Sequence, residues 1–360
     1  MSNRIILSGD ELLRELSLTF GPTGCEDNVA ELIRSQVKDF ADEVRLDRMG
    51  NLTAVLHGKN HGTEDERRLL FSAHMDEVGF MITDVNDDGT LKFACLGGIV
   101  PSALTARRVT VGDENNKLPG VIGTKAIHQL KGDEREAMPK VSDLYIDIGA
   151  KDKEEAEGYV KRGSFGTFDS EYIRFGHDGK YIKGKALDDR FGCAVMIELC
   201  RKLASRSERL PHDVYFAFTV REEVGLSGAE PAAYAADPHM AFVLEATAVA
   251  DNSGAPREKQ VAVLGEGPAI SFMDRSTIYI REVYDFVLET AKKHGIKAQP
   301  KRYVSGGNDA GHIHKTRAGI KTAAISAPAR YIHTASDVIH ADDYASTLEL
   351  VEKLAETVIL

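Results

Sequence analysis

Five side chains that bind metals well follow one another along the chain: His74, Asp188, Glu223, Glu245 and His333. Two more acids stand beside them. Asp76 lies two residues beyond His74, and Glu222 directly precedes Glu223. This is the set a two-metal hydrolase requires. One carboxylate bridges two cations, each cation takes a His and another carboxylate, and one further acid serves as general base. Singly, these residues have plainer explanations. His-x-Asp is a weak signal, Asp189 beside Asp188 suits a helix N-cap, and Glu222-Glu223 fits a solvated loop. A lone His after Pro328–Ile332 is more often structural. Jointly they point to metal, because Glu245 after an apolar run is costly to bury without a partner. Asp76 is well placed to accept the second ring proton of His74.

The elements that must position these groups are legible in the apolar runs. His74 closes Leu69–Ala73, Glu222 and Glu223 follow Val214–Val220, Glu245 ends Ala241–Leu244, and His333 follows Thr322–Ser326. Continuous apolar runs of this length suit strands covered on both faces. Helical patterns lie between them at Glu31–Phe40, Cys193–Leu203, Val283–His294 and Thr347–Ile359. The alternation predicts an α/β fold, a mixed and mostly parallel sheet sandwiched by helices. In such sheets ligands bind beyond the carboxyl ends of the strands, where these candidates fall.

The texture changes between about Phe80 and Gly176. Long helical patterns give way to short β-like pieces separated by turn signals, as in Met81–Val85 and Thr90–Ala94 around Asn86–Gly89. This stretch reads as a small β-barrel inserted in the α/β domain. The expected organisation is 1–79 and 177–360 for the catalytic domain, with 80–176 between them. A length of 360 residues agrees with two domains. The formal net charge of −11 opposes binding to nucleic-acid phosphates. No apolar run is long enough to span a membrane. Cys25, Cys95, Cys193 and Cys200 lack CxxC spacing and read as reduced thiols of a cytoplasmic protein.

The chain resembles the M42 family of metallo-aminopeptidases over essentially its whole length. The likeness is carried by Ser72–Gly79, Lys185–Arg190, Arg221–Gly225, Gly306–Gly311 and Tyr331–Thr334. It implies peptide substrates, with His74 and Glu245 on one ion, Glu223 and His333 on the other, and Asp188 bridging. Many members carry Asp where Glu245 stands, which bears on denticity. Glu222 then acts as general base beside Asp76, and the metal-site carboxylates receive the substrate ammonium. Mixed His and carboxylate ligation fits Zn2+, with Co2+ or Mn2+ tolerable. The resemblance also implies a homo-oligomer, a dodecamer built from dimers, with the inserted barrel as interface and lid. Gly306, Gly307, Asn308 and Asp309 are expected along the substrate pocket.

Glu266 lies near where relatives build part of that pocket, and some of them carry Lys there. A carboxylate at this position predicts that neutral or basic N-terminal residues outpace glutamyl ones. Three rival readings stand beside this one, among them a glycan hydrolase, which needs a carboxylate pair flanking a sugar cleft, whereas the carboxylates here are assigned to metals. A dinuclear carboxypeptidase or N-deacylase carries its extra domain after the Glu-Glu and third-acid motifs, whereas here it falls between His74 and Asp188. A non-catalytic peptide-binding or assembly protein should have lost a ligand or the base, and every position is filled.

Overall fold

The computed structural model describes residues 6–113, 115–129, 131–132, 137–252 and 254–360. Its centre is an eight-stranded sheet. In spatial order the strands are Glu43–Leu46, Leu52–Leu56, Asp213–Thr219, Arg68–His74, Met240–Ala248, Lys321–Ala329, Ala269–Ile270 and Gln299–Pro300. The four central strands run parallel, and antiparallel neighbours flank them.

Side-chain alternation divides the interior into two layers, as a pleated strand requires. Leu69, Phe71 and Ala73 enter one core with Phe216, Phe242 and the helices Leu187–Ala204 and Ala341–Thr357. Leu70, Ala217 and Val243 enter the opposite core, against the helices Ala229–Ala236 and Ala310–Ile313. Phe71 lies level with Phe216 and Phe242 on its two neighbours, with ring centroids 5.9 and 5.6 Å away. That row locks the register of the three strands, two of which lead to the metal-ligand candidates His74 and Glu222-Glu223.

A closed six-stranded barrel follows the His74 strand. It comprises Gly79–Val85, Leu91–Leu96, Tyr145–Asp147, Lys117–Gly123, Arg108–Gly112 and Phe165–Phe168, and has its own core around Phe80, Phe93 and Phe168. The sequence reading had no counterpart for Phe165–Phe168, the strand that closes the barrel. A third, three-stranded sheet, Ile173–Phe175, Tyr181–Gly184 and Asp337–His340, was also not anticipated.

Arg190 fastens the N-terminal segment to the loop after His74. It is fully buried, and its guanidinium donates to the carbonyls of Met75, Leu16, Thr19 and Gly21 at 2.5–3.3 Å. Glu77 lies 3.6 Å from it and is held by Lys185 and the Thr167 hydroxyl. Arg190→Met would leave those carbonyls and part of the Glu77 charge uncompensated. The expected cost is about 3–5 kcal/mol, read by urea unfolding of the metal-free chain. A loss under about 1 kcal/mol would contradict this role.

Candidate metal centre

The ligand candidates converge at the C-terminal edge of the parallel strands. His74 ends its strand level with Thr219, the last residue of the neighbouring strand. Glu245 differs from expectation. It does not end its strand, which continues to Ala248, and it lies level with Ser326. Asp188 sits where the helix Leu187–Ala204 begins irregularly, and the capping role expected of Asp189 is present, since its Oδ1 accepts from the Gly192 amide at 3.0 Å.

Two groups form around Asp188. Its Oδ1 lies 3.2 Å from His74 Nε2, and Glu245 Oε2 lies 3.8 Å from the same nitrogen. Its Oδ2 lies 3.3 Å from His333 Nε2, which is 3.4 Å from Glu223 Oε2. His74, Asp188 and Glu245 thus form one set able to hold a cation, and Asp188, Glu223 and His333 another. Glu222 stands outside both sets and lines the same cleft.

The donor set fits divalent cations. With bonds of about 2.0–2.2 Å, ligand atoms of a tetrahedral shell sit roughly 3.3–3.6 Å apart, close to the separations seen. The electrostatics agree. Burial pushes Glu222 and Glu245 well above the usual carboxylate range and raises Glu223 to about 8, with neighbouring acids adding to each. Burial opposes the His333 imidazolium, but Asp188 and Glu223 outweigh it and raise His333 to about 10. The protein part alone therefore concentrates negative charge that it does not neutralise, and a cation reverses that imbalance. Glu223 Oε1 is buried without a hydrogen-bond partner among the described residues, as a ligand atom awaiting its ion would be.

Supporting contacts aim these groups. His74 Nδ1 faces the Asp76 peptide carbonyl at 3.1 Å, closer than the Asp76 carboxylate at 3.4 Å. That carboxylate also accepts from the Glu222 and Glu223 amides at 3.0 and 3.1 Å and from the Thr23 hydroxyl at 2.8 Å. Asp76 thereby fixes the turn that carries both glutamates. Arg221 in the same turn has φ +56°, and His333 has φ +63°, left-handed conformations that are uncommon for non-glycine residues.

Several contributors carried no signal in the sequence reading. Asp337 accepts from the Leu187 amide at 3.2 Å and the Thr334 amide at 3.4 Å, tying the Asp188 and His333 segments together. Gly98 offers its carbonyl to His333 Nδ1 at 3.2 Å. Gly97, at φ +86°, approaches so closely that a Cβ would meet Val78 at 2.7 Å and Glu223 at 3.1 Å. The Gly97-Gly98 pair after a strand was the one cue available for this pair.

Of the pocket residues expected, Gly306, Gly307 and Asn308 line the cleft. Asp309 is buried behind it, accepting from the Thr219 hydroxyl at 2.6 Å. Glu266 is not among the cleft residues. Its side chain is 61% exposed and faces Lys297 at 4.0 Å, because the amides of Gly265 and Gly267 on either side bind Asp343 at the start of the C-terminal helix. The selectivity expected from Glu266 has no structural basis within this subunit.

Two His-carboxylate groups sharing one buried acid, at the C-terminal edge of a helix-covered parallel sheet, point to a hydrolase of the α/β class. The chain belongs to the M42 peptidase family, whose model, described as M42 glutamyl aminopeptidase, matches residues 50–350. It is an aminopeptidase, a hydrolase acting on peptide bonds. Among solved structures it is similar to a TET aminopeptidase from a Thaumarchaeota archaeon, with 35% identity, a TM-score of 0.93 and coverage of 97% of this chain and 96% of that one. It is also similar to the TET1 peptidase of Pyrococcus horikoshii, described as assembling into a tetrahedron or a large octahedral shell. That match has 36% identity, a TM-score of 0.85 and coverage of 97% and 99%. The lysyl aminopeptidase of Pyrococcus furiosus is 30% identical over 96% of both chains. Among the described residues no helix is long and apolar enough to cross a membrane.

Proposed function

We propose that this cleft removes single residues from the free N-termini of peptides, using two divalent cations, Zn2+ foremost. The observation that carries the reading is the sharing of Asp188 between two His-carboxylate groups while Glu222 stands outside both. His74 with Glu245, and Glu223 with His333, complete the two sets. When bound, the cations supply Lewis acidity to the scissile carbonyl and acidify the attacking water. Glu222 takes the proton of that water as its oxygen adds to the carbonyl carbon. Glu222 then returns the proton to the amine as the C–N bond breaks. Asp76 holds the Glu222 backbone while this occurs. The site carboxylates receive the substrate ammonium, which favours a free N-terminus over a free C-terminus.

An unblocked pentapeptide should lose residues one at a time from its N-terminus, its N-acetylated form should persist, and a chelator should stop the reaction. Release from the C-terminus would overturn the reading.

We further propose a cytoplasmic homo-oligomer, a dodecamer built from dimers, with residues 80–176 as its interface and lid unit. The support is the shell assembly of the TET1 relative and the absence of any metal-ligand candidate from the barrel strands. Sedimentation with metal present should give a species far above monomer mass, and a monomer alone would contradict this.

A further inference from the structure

The turn that carries Glu222 hangs on side chains from distant parts of the chain. Four successive amides donate to them. Val220 donates to Asn51 Oδ1 at 3.0 Å, Arg221 to Glu26 Oε1 at 3.2 Å, and Glu222 and Glu223 to the two oxygens of Asp76. The reaction above uses Asp76 and gives Glu26 no role. Glu26 also precedes residues 50–350, the stretch that the family model matches.

Glu26 is only 7% exposed. It stands at the N-cap of the helix Asp27–Val37, yet its side chain caps none of that helix's amides. Its Oε1 accepts instead from the Gly24 amide at 2.7 Å and from Arg221, 195 residues further along the chain. Burial raises Glu26 to about 7, and the nearby Asp76 adds to the rise. A carboxyl group kept there, against burial and a neighbouring acid, needs hydrogen bonds that offset the cost.

Arg221 is the point at which the turn is steered. It directly precedes Glu222 and is held at φ +56°. Rotation about its backbone bonds would swing the Glu222 side chain. Asp76 fixes the two amides that follow, and Glu26 adds the contact that holds Arg221 itself. The short segment before Glu26 reaches the turn a second time, since the Thr23 hydroxyl donates to Asp76 at 2.8 Å.

We propose that Glu26 is a positioning residue for the reaction: by accepting the Arg221 amide it aims the Glu222 carboxylate at the attacking water. This rests on Glu222 being the general base and adds the group that directs it. Glu26 belongs to neither cation-holding group and does not line the cleft, so its loss should spare metal binding and substrate binding and fall on kcat. A misaimed base slows proton transfer even when every reacting group is present. The contact needs an acceptor rather than a charge, because its donor is a peptide amide.

The test measures kcat, KM and bound metal for metal-loaded wild type, Glu26→Gln, Glu26→Asp and Glu26→Ala, on the best hydrolysed of the Leu-, Lys- and Glu-4-nitroanilides. Gln keeps an acceptor at the same reach and should retain most of the activity. Asp falls one methylene short and Ala has no acceptor, so both should lower kcat on the order of 10–100-fold with KM and metal content unchanged. In a Glu222→Gln background Glu26→Asp should cost nothing further, since no base is left to aim. Should Glu26→Ala fail to fold, the Asp and Gln variants decide alone. Wild-type kcat in Glu26→Asp overturns the proposal, as does a loss in Glu26→Gln equal to that in Glu26→Asp. So does loss of metal along with activity, or an undiminished further loss in the Glu222→Gln background. Full activity in Glu222→Gln itself overturns the general-base reading, whereas an inactive Glu222→Gln beside fully active Glu26 variants overturns this proposal alone.

Discussion

Glu222→Gln is expected to lower kcat on the order of 10²–10⁴-fold while both ions stay bound. The glutamine amide keeps the shape of the side chain but cannot accept a proton from water at neutral pH. Glu222 belongs to neither cation-holding group, so its replacement is expected to remove no ligand. Its backbone amide is fixed by Asp76 at 3.0 Å, a contact the substitution does not touch. The side chain should therefore stay in place and lose only its basicity. Turnover of an aminoacyl anilide and metal content by mass spectrometry are measured on the same sample. Loss of both ions together with activity would make Glu222 a ligand. Activity within about threefold of wild type would be too small a loss for a general base.

Asp188→Ala should be nearly as severe by a different route. Asp188 Oδ1 faces His74 and Oδ2 faces His333, so one carboxylate serves both groups. No other acid is a member of both sets. The variant should lose at least one ion at concentrations that saturate the wild type. The fall in affinity should exceed the roughly 10–100-fold typical of disturbing an outer partner. Metal-dependent thermal stabilisation should shrink in step, since binding stabilises only in proportion to occupancy. Full occupancy in this variant would show that the groups do not share Asp188.

The parts of this site that the sequence displayed are those attached to local patterns. His74 and Glu222-Glu223 follow apolar runs whose strand character is unambiguous, and Asp189 announces a helix start that carries Asp188 with it. Glu245 was found for the same reason, although its strand runs on to Ala248 because Thr247 and Ala248 still pair with Pro328 and Ala329. The helix Gly9–Leu18 went unread despite the spacing of Leu12, Leu13 and Leu16, which are all buried.

What stayed hidden depends on contacts between distant segments. Asp337 reaches Leu187 across 150 residues of chain and joins it to Thr334, and nothing near Asp337 signals that. Glu266 was expected in the pocket for the same reason. It lies in a polar stretch, and the hydrogen bonds of Asp343 to the Gly265 and Gly267 amides hold the turn in which Glu266 is exposed. Gly166 sits in the closing strand of the barrel, where a glycine weakens the strand pattern.

We propose that two cations sharing Asp188 make this cleft an aminopeptidase. The measurement closest to it is titration of the metal-free wild-type chain with Zn2+, following bound metal and aminoacyl-anilide hydrolysis together. The proposed mechanism predicts two ions per chain, with activity reaching its plateau as the second set is filled. Saturation at a single ion, or hydrolysis that persists in the metal-free chain, would contradict it.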